Sequence, residues 1–446
     1  MTQYRAKRLP QPQGRAAWNA ILGPAPAADP LTGDRTADVV VIGAGFAGLS
    51  AARRLKQIDP ALDIVVLEAG RIAEGAAGRN SGFMIDIPHE LTSEDYAGAG
   101  DDRRMMALNR QAQAFGTEAV ADYGITPDFF DKVGKINGAG APVADALNQS
   151  LATHLEALGE PYEMLDAQAM HEVTGSAFYT SGLFTPGTVM VQPAGYVRGL
   201  AEGLKRDGVT ICEDSPAIGF SQQNGGWQVE TPRGTISCGH IILTVNGHLE
   251  SFGFERGRLM QLFLFAVMTP DLSADQVSAL GGHPRWGVTP SDPMGTTMRR
   301  IDGPLGGNRI VTRSCAALRP NMRATDRDMA RAARAMQKKF EARFPMLKGL
   351  EMEHAWAGHL CLTLNGVSVA REIAKGVFSG CVQNGLGIAR GTLTGIAAAE
   401  RCMGLDSKIA AFFEAQNAPK RLPPQPFREI GANAVLRWKE MRVGLE

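Results

Sequence analysis

The clearest hydrophobic pattern lies near the N-terminal end. Asp38-Val39-Val40-Val41-Ile42 is a continuous apolar run of strand length, and an alanine-rich stretch of helical character follows it to about Gln57. Asp63-Ile64-Val65-Val66-Leu67-Glu68 is a second unbroken run. Unbroken apolar strands suit the interior of a parallel sheet, so this is a β-α-β unit starting near Ala37, with its helix stopped at Asp59-Pro60. The proline- and alanine-rich tract 23–30 ahead of it predicts an extended arm lying on the body of the protein. Helical spacing dominates 101–122 and 143–158, and short strands return at 209–212, 227–230 and 240–244, with a hairpin through Asn224-Gly225-Gly226. Residues 258–316 are strand-rich, and 323–344 carry a long, charged helical pattern. A last strand at 376–381 runs into a glycine-rich turn and a helix stopped at Gly404; 429–443 has amphipathic spacing that predicts packing on the domain of the β-α-β unit, with a partner-binding helix as the alternative. Strands so scattered imply one sheet built from distant segments with a second domain inserted between them.

Composition narrows the picture. Lysine plus arginine equals aspartate plus glutamate, 46 each in 446 residues, which removes the bulk electrostatic reason to expect a partner in nucleic acid or an anionic membrane. No run of about 18 apolar residues is present to span a bilayer, and residues 1–36 lack the apolar core of a secretory signal. Six scattered cysteines without a C-x-x-C pair read as reduced thiols, so the expected location is the cytoplasm. The eight histidines form no metal-ligand spacing, and no G-x-S-x-G suggests a hydrolase.

The strongest motif is Gly43-Ala44-Gly45-Phe46-Ala47-Gly48, placed directly after a strand and opening a helix. Gly43 permits a tight turn, Gly45 lets backbone approach a pyrophosphate, and Gly48 allows close helix–strand packing. The helix N-terminus attracts the anion, and Glu68, 20 residues further on, can accept hydrogen bonds from ribose hydroxyls. NAD and FAD both fit this much. A second small-residue loop, Gly75-Ala76-Ala77-Gly78-Arg79-Asn80-Ser81-Gly82, tips the choice to FAD, because its N–H groups could reach the middle of a longer dinucleotide.

With Glu68-Ala69-Gly70, Gln192-Pro193-Ala194-Gly195-Tyr196 and Asn384-Gly385-Leu386-Gly387, these motifs resemble the D-amino-acid-oxidase-like flavoproteins. Within them the chain is most similar to the γ-glutamylputrescine oxidase, sarcosine oxidase and glycine oxidase branch. The resemblance implies an α/β protein, α+β overall, with a Rossmann-type FAD-binding domain and a substrate domain whose antiparallel sheet roofs the flavin. The expected division is an arm over 1–36, an FAD-binding domain over 37–98, 186–256 and 346–446, and a substrate domain over 99–185 and 257–345. It also implies adenine contact at Ala217, closure over the nucleotide at Thr244 and Asn246, and a loop from Asn384 through Gly385, Leu386 and Gly387 to Ile388 facing the flavin pyrimidine. The helix after Gly387 could stabilise a reduced, anionic flavin with its N-terminal N–H groups. Arg79, Asn80, Ser81, Ala69 and Gly358 complete the implied cofactor set.

The family's reaction removes a hydride from a carbon bearing nitrogen, and the imine then hydrolyses. A desolvated pocket keeps the amine neutral, so no catalytic base is required. Relatives that oxidise small amino acids hold the α-carboxylate with arginines near the flavin; here Gln383 and Gly358 or Leu360 occupy those positions. Arg299, Arg300 and Arg313 read as surface or structural residues. The expected substrate is therefore a primary, secondary or N-methylated amine, or an amino acid with a distant carboxylate. Asp86, His89 and Glu90 could line the mouth with negative charge, and His359 in Trp356-Ala357-Gly358-His359 could touch flavin or substrate. Asn365 and Ser368 replace the family's usual Asp and Pro. The cysteine that binds FAD covalently in some relatives is replaced by Gly358, so non-covalent FAD is expected although Cys361 is near. Dioxygen is the expected acceptor. A dehydrogenase using a quinone or carrier, and a non-catalytic flavin-binding subunit, remain the alternatives, and the oligomeric state stays open.

Overall fold

The two apolar runs become neighbouring parallel strands, Arg35–Ile42 and Ile64–Leu67, joined by the helix Phe46–Ile58. In the computed structural model, which describes residues 2–11, 14–88, 101–223 and 225–446, they lie at the centre of a nine-stranded sheet. Its parallel block runs Thr210–Cys212, Ile64–Leu67, Arg35–Ile42, Gly234–Leu243, Val377–Cys381. Both faces are covered: Val39 and Val41 join the core beneath the helices, while Val40 and Ile42 join a second core with Phe220, Trp227 and Val229. This is why the strands carry no polar alternation.

Gly234–Leu243 serves two sheet edges at once. Its first half pairs antiparallel with Gly226–Thr231, and its second half pairs parallel with Val377–Cys381. The expected hairpin is present, with Gln223 opposite Gly226 and Gly225 at φ 83°; Asn224 lies outside the described residues. It needs a strand the hydrophobic pattern did not show, Gly219–Gln223, whose apolar members are few. The arm is more structured than expected. Gln3–Arg5 adds a strand to Gly219–Gln223, and Ala17–Ala20 forms a helical turn that buries Trp18.

The second sheet has eight strands in the order His354–Thr363, Leu259–Met268, Arg309–Leu318, Thr297–Ile301, Trp286–Pro290, Lys135–Ala139, Ser181–Thr185, Glu163–Asp166. The His354–Thr363 strand, counted above with the FAD-binding segments, hydrogen-bonds along its length to Leu259–Met268 and is the edge of this sheet. The helix Asp326–Arg343 covers one face, burying Ala332 and Met336 against Phe263, Phe265 and Ala317. The opposite face looks toward the nine-stranded sheet, with Ala266, Val311 and Trp356 belonging to the same core as Val39 and Leu49. All six cysteines are buried and free. Among the described residues no helix is long and apolar enough to cross a membrane.

Candidate active site

Between the two sheets lies a cavity of about 750 Å³, a size that suits a cofactor together with a small substrate. Its floor is built by turns. Gly43 stands at φ 107°, where a side chain would be strained and a Cβ would lie 2.9 Å from the Thr244 carbonyl oxygen. Gly48 faces away from the cavity, and a Cβ there would meet the Gly43 carbonyl oxygen at 1.8 Å. The helix Phe46–Ile58 therefore sits directly on the turn. Its N-cap is Gly45, with no side-chain cap, so the first N–H groups open on the cavity. The helix Gly387–Cys402 opens on the same cavity from Leu386, again without a side-chain cap. The two helices are in contact: a Cβ at Gly395 would lie 2.1 Å from the Ala47 carbonyl oxygen.

Glu68 lines the cavity at the end of its strand. Its carboxylate accepts from the Ala44 N–H at 3.0 Å and the Gly70 N–H at 3.1 Å, and burial pushes its pKa up. Ala69, Ala217, Thr244 and Asn246 line the same end. The Asn246 Oδ1 and His248 Nδ1 are buried with no partner.

Several expected residues hold the walls rather than face the space. Arg79 borders the cavity, but its guanidinium donates to the carbonyls of Glu74 (2.6 Å), Gly14 (2.8 Å) and Ala357 (3.3 Å), tying loop, arm and roof together. Asn80 and Ser81 line the cavity beside it. Gly78 and Gly82 do not; they are close-packing positions, with Cβ atoms that would meet Ala73 O at 1.8 Å and the Arg299 guanidinium at 2.0 Å. Asn384 is not in the wall either. At φ 48° it accepts from the Thr363 N–H and donates to the Val367 carbonyl, fixing the turn that presents Gly385, Gly387 and Ile388. Gln383 lines the cavity with its amide donating to the Gly380 carbonyl at 3.0 Å.

Asp86 is placed elsewhere. Its carboxylate, 1% exposed, pairs with Arg110 at 3.1 Å in a separate cavity of about 270 Å³. The short strand Phe83–Met84 carries the chain past the main cavity before Asp86 is reached. His89 and Glu90 lie outside the described residues. His359 borders the main cavity, but strand alternation turns it, with Ala357, to the other side of the sheet from Trp356 and Gly358. Its Nε2 meets the Gln261 side chain at 2.9 Å and its ring packs on Phe263 and His248; burial holds its pKa down to about 3.

The three arginines separate. Arg299 donates to the carbonyls of Val191 (2.5 Å) and Ser81 (3.2 Å) and stacks over Trp18, a structural clamp. Arg300 reaches the Gly281 carbonyl. Arg313 lines the cavity and makes no hydrogen bond or ion pair with a described residue. Burial lowers its pKa to about 10, which leaves it charged at neutral pH. A row of cross-strand neighbours, Trp356, Ala266, Arg313 and Thr297, spans the roof, and all four line the cavity. The Thr297 hydroxyl is buried without a partner. The signal for this row lies in a β-bulge: Cys315, at φ 66°, is the extra residue between Ser314 and Ala316, and it re-aims the strand just past Arg313. No sequence pattern announces it.

Two uncapped helix N-termini, a glycine-walled turn and an acid at the second strand's end together make a site for an anionic dinucleotide. The comparisons agree. The family model for FAD dependent oxidoreductases matches residues 38–401, and the chain belongs to that family. Its cofactor is FAD, and the protein is a flavin-dependent oxidoreductase. It is 26% identical over 391 residues to a probable oxidoreductase OrdL of Haemophilus influenzae, covering 86% of each chain. It is 25% identical over 412 residues to the gamma-glutamylputrescine oxidoreductase of Escherichia coli, covering 91% of this chain and 93% of that one. In fold it is similar to glycine oxidase from Geobacillus kaustophilus, with a TM-score of 0.69 at 17% identity over 86% of this chain and 99% of that chain.

Proposed function

We propose that this protein oxidises the carbon–nitrogen bond of an amine that also carries an anionic group, a carboxylate above all, away from the reacting carbon. The observation that carries this reading is Arg313, a charged guanidinium facing the cavity with no acid beside it among the described residues and the unpartnered Thr297 hydroxyl as its cross-strand neighbour. A buried cation without a counter-ion is costly unless a ligand supplies the charge, and a guanidinium matches a carboxylate in two hydrogen bonds. The names of relatives support a nitrogen-bearing substrate, among them a gamma-glutamylputrescine oxidoreductase and a sarcosine oxidase subunit from Rhizobium meliloti.

FAD, when bound, supplies the acceptor for the two electrons and hydrogen leaving the substrate carbon. Gly45 and Phe46 would meet the pyrophosphate, Glu68 the ribose and Ala217 the adenine. The N–H groups of Gly387 and Ile388 would face the flavin pyrimidine. Arg313 orients the substrate by its anionic end. Its positive charge and the desolvated wall formed with Ala266 and Trp356 both lower the pKa of a bound amine, favouring the neutral form from which hydride can leave. The amine, dioxygen and water then yield a carbonyl compound, a smaller amine or ammonia, and hydrogen peroxide.

FAD is held without a covalent bond. Cys361 borders the cavity but is fully buried among Val369 and Val382, and burial raises its thiol pKa well above the ordinary value, disfavouring the thiolate that attachment needs.

The test is anaerobic flavin bleaching by paired amines that differ only in a distant carboxylate, followed by admission of air. Bleaching by the carboxylated member at far lower concentration, with peroxide formed in air, supports the reading. Equal response to both members overturns the role of Arg313, and bleaching without peroxide identifies a dehydrogenase. Yellow colour retained in an acid-precipitated pellet overturns the non-covalent attachment.

A further inference from the structure

The helix Phe427–Val443 is mounted the opposite way to its amphipathic pattern. The strand Arg309–Leu318 pairs with Thr297–Ile301 only as far as Arg313, which leaves one edge of 314–318 open. The polar face of the helix fills that edge. Asn433 accepts from the Leu318 N–H and donates to its carbonyl, Glu440 accepts from the Ala316 N–H, and Arg437 donates to the Ala316 carbonyl. Glu429 and Glu440 pair with Arg319 and Arg331. Covering an open strand edge requires polar side chains, so the apolar face is turned to solvent.

That face is a continuous ridge. Phe427, Ile430, Trp438 and Met441 recur at helical spacing, with Ala434 between, and Leu445 follows just past the helix end; each of the five is more than half exposed. Its helical part, from Phe427 to Met441, is about 21 Å long at 1.5 Å per residue. Both acids of the helix are on the inner face, whereas Arg428, Lys439 and Arg442 flank the ridge, the last two exposed and Arg442 lying over the Trp438 ring. The outward half of the helix is thus apolar and solely cationic.

We propose that this ridge rests on an anionic bilayer surface, lying in the interface plane. Aromatic and aliphatic side chains flanked by arginine and lysine are the pattern that inserts shallowly among headgroups, with tryptophan at the interface. A second copy of the chain fits less well. Two-fold pairing would oppose like charges, and two single helices bury less than the roughly 1,200 Å² of a stable interface. The zero net charge of the chain does not bear on this, because the positive charge is local.

The test is co-sedimentation of the full flavin-loaded protein with vesicles of phosphatidylcholine mixed with phosphatidylglycerol, against vesicles of phosphatidylcholine alone. The protein is expected to pellet with the anionic vesicles and to be released by high salt. The double variant Trp438→Ser, Met441→Ser should lower the bound fraction about ten-fold or more. Lys439→Glu with Arg442→Glu should abolish the preference for phosphatidylglycerol, and Val143→Ser, an exposed position on another helix, should change nothing. An unchanged flavin spectrum shows that each variant is folded. No pelleting with either vesicle overturns the proposal, as does a dimer in light scattering that the Trp438→Ser, Met441→Ser variant disperses.

Discussion

On the nine-stranded side the cavity is walled by backbone: Gly43, Gly45, Gly385 and Gly387 bring main-chain groups to its surface, and two helices open on it without side-chain caps. On the eight-stranded side it is walled by side chains, Trp356, Ala266, Arg313 and Thr297 in one row across four strands. A backbone wall recognises what every bound dinucleotide shares, and it tolerates little change at Gly43 and Gly385, whose φ values of 107° and 89° favour glycine. A side-chain wall on a fixed sheet can be rewritten one residue at a time. On the proposed reading, the turns hold the cofactor and the roof chooses the substrate.

The largest expected effect breaks the floor. Gly48→Val puts side-chain atoms where the Gly43 carbonyl oxygen lies 1.8 Å from an ideal Cβ, so the protein should purify without yellow colour and fail to regain it with added FAD. A normal flavin spectrum would show that the turn can yield. The roof should behave differently: Arg313→Ala is expected to keep the flavin spectrum while kcat/KM for an anionic amine falls about 10- to 100-fold, the worth of a hydrogen bond to a charged group. An equal loss for a neutral amine would mean that Arg313 supports the fold instead. Thr297→Val, removing one neutral hydroxyl, should cost about 2- to 10-fold on the same substrate.

A separate effect, read on stability instead of binding or catalysis, concerns the wall between the two regions. Burial holds His359 at about 3 and His248 at about 4, against 6.5 for a free imidazole. Between those values the unfolded chain binds more protons than the folded one, so stability declines as pH falls from 6.5 toward the folded pKa values. Urea midpoints should be level above neutrality and decrease steadily below it, and His359→Gln should flatten the decline. A midpoint that does not move in acid would count against the buried, neutral pair.

The floor was legible in the sequence because its chemistry follows chain order: strand, glycine turn, helix, strand, acid. Gly43 to Gly48 and Glu68 could be placed from spacing alone. The roof was not, since Trp356, Ala266, Arg313 and Thr297 meet only through strand register. Arg299 and Arg313 look alike in sequence, yet one is buried and clamps three backbone carbonyls while the other, half-buried, faces the cavity. Asp86 misled for a related reason: it sits beside the motif, but its side chain is held by Arg110 in a separate cavity, whereas Arg79 borders the main cavity with its guanidinium held by carbonyls of other segments. The 429–443 pattern gave the helix but neither its orientation nor its seat: it packs on the eight-stranded sheet instead of the expected nucleotide-binding domain, because the open edge at 314–318 is a property of the sheet.

The strand Val377–Cys381 enters the parallel block beside Gly234–Leu243, and the helix after it packs on Phe46–Ile58, some 340 residues earlier in the chain. A ribosome must therefore release nearly the whole polypeptide before the two cavity-lining turns can meet. Such long-range closure is slow, and until it happens the half-built sheet exposes a bare, hydrophobic edge open to mispairing. Vitamin supply during growth should consequently govern the yield of intact protein, since binding FAD draws the newly finished chain toward the native state.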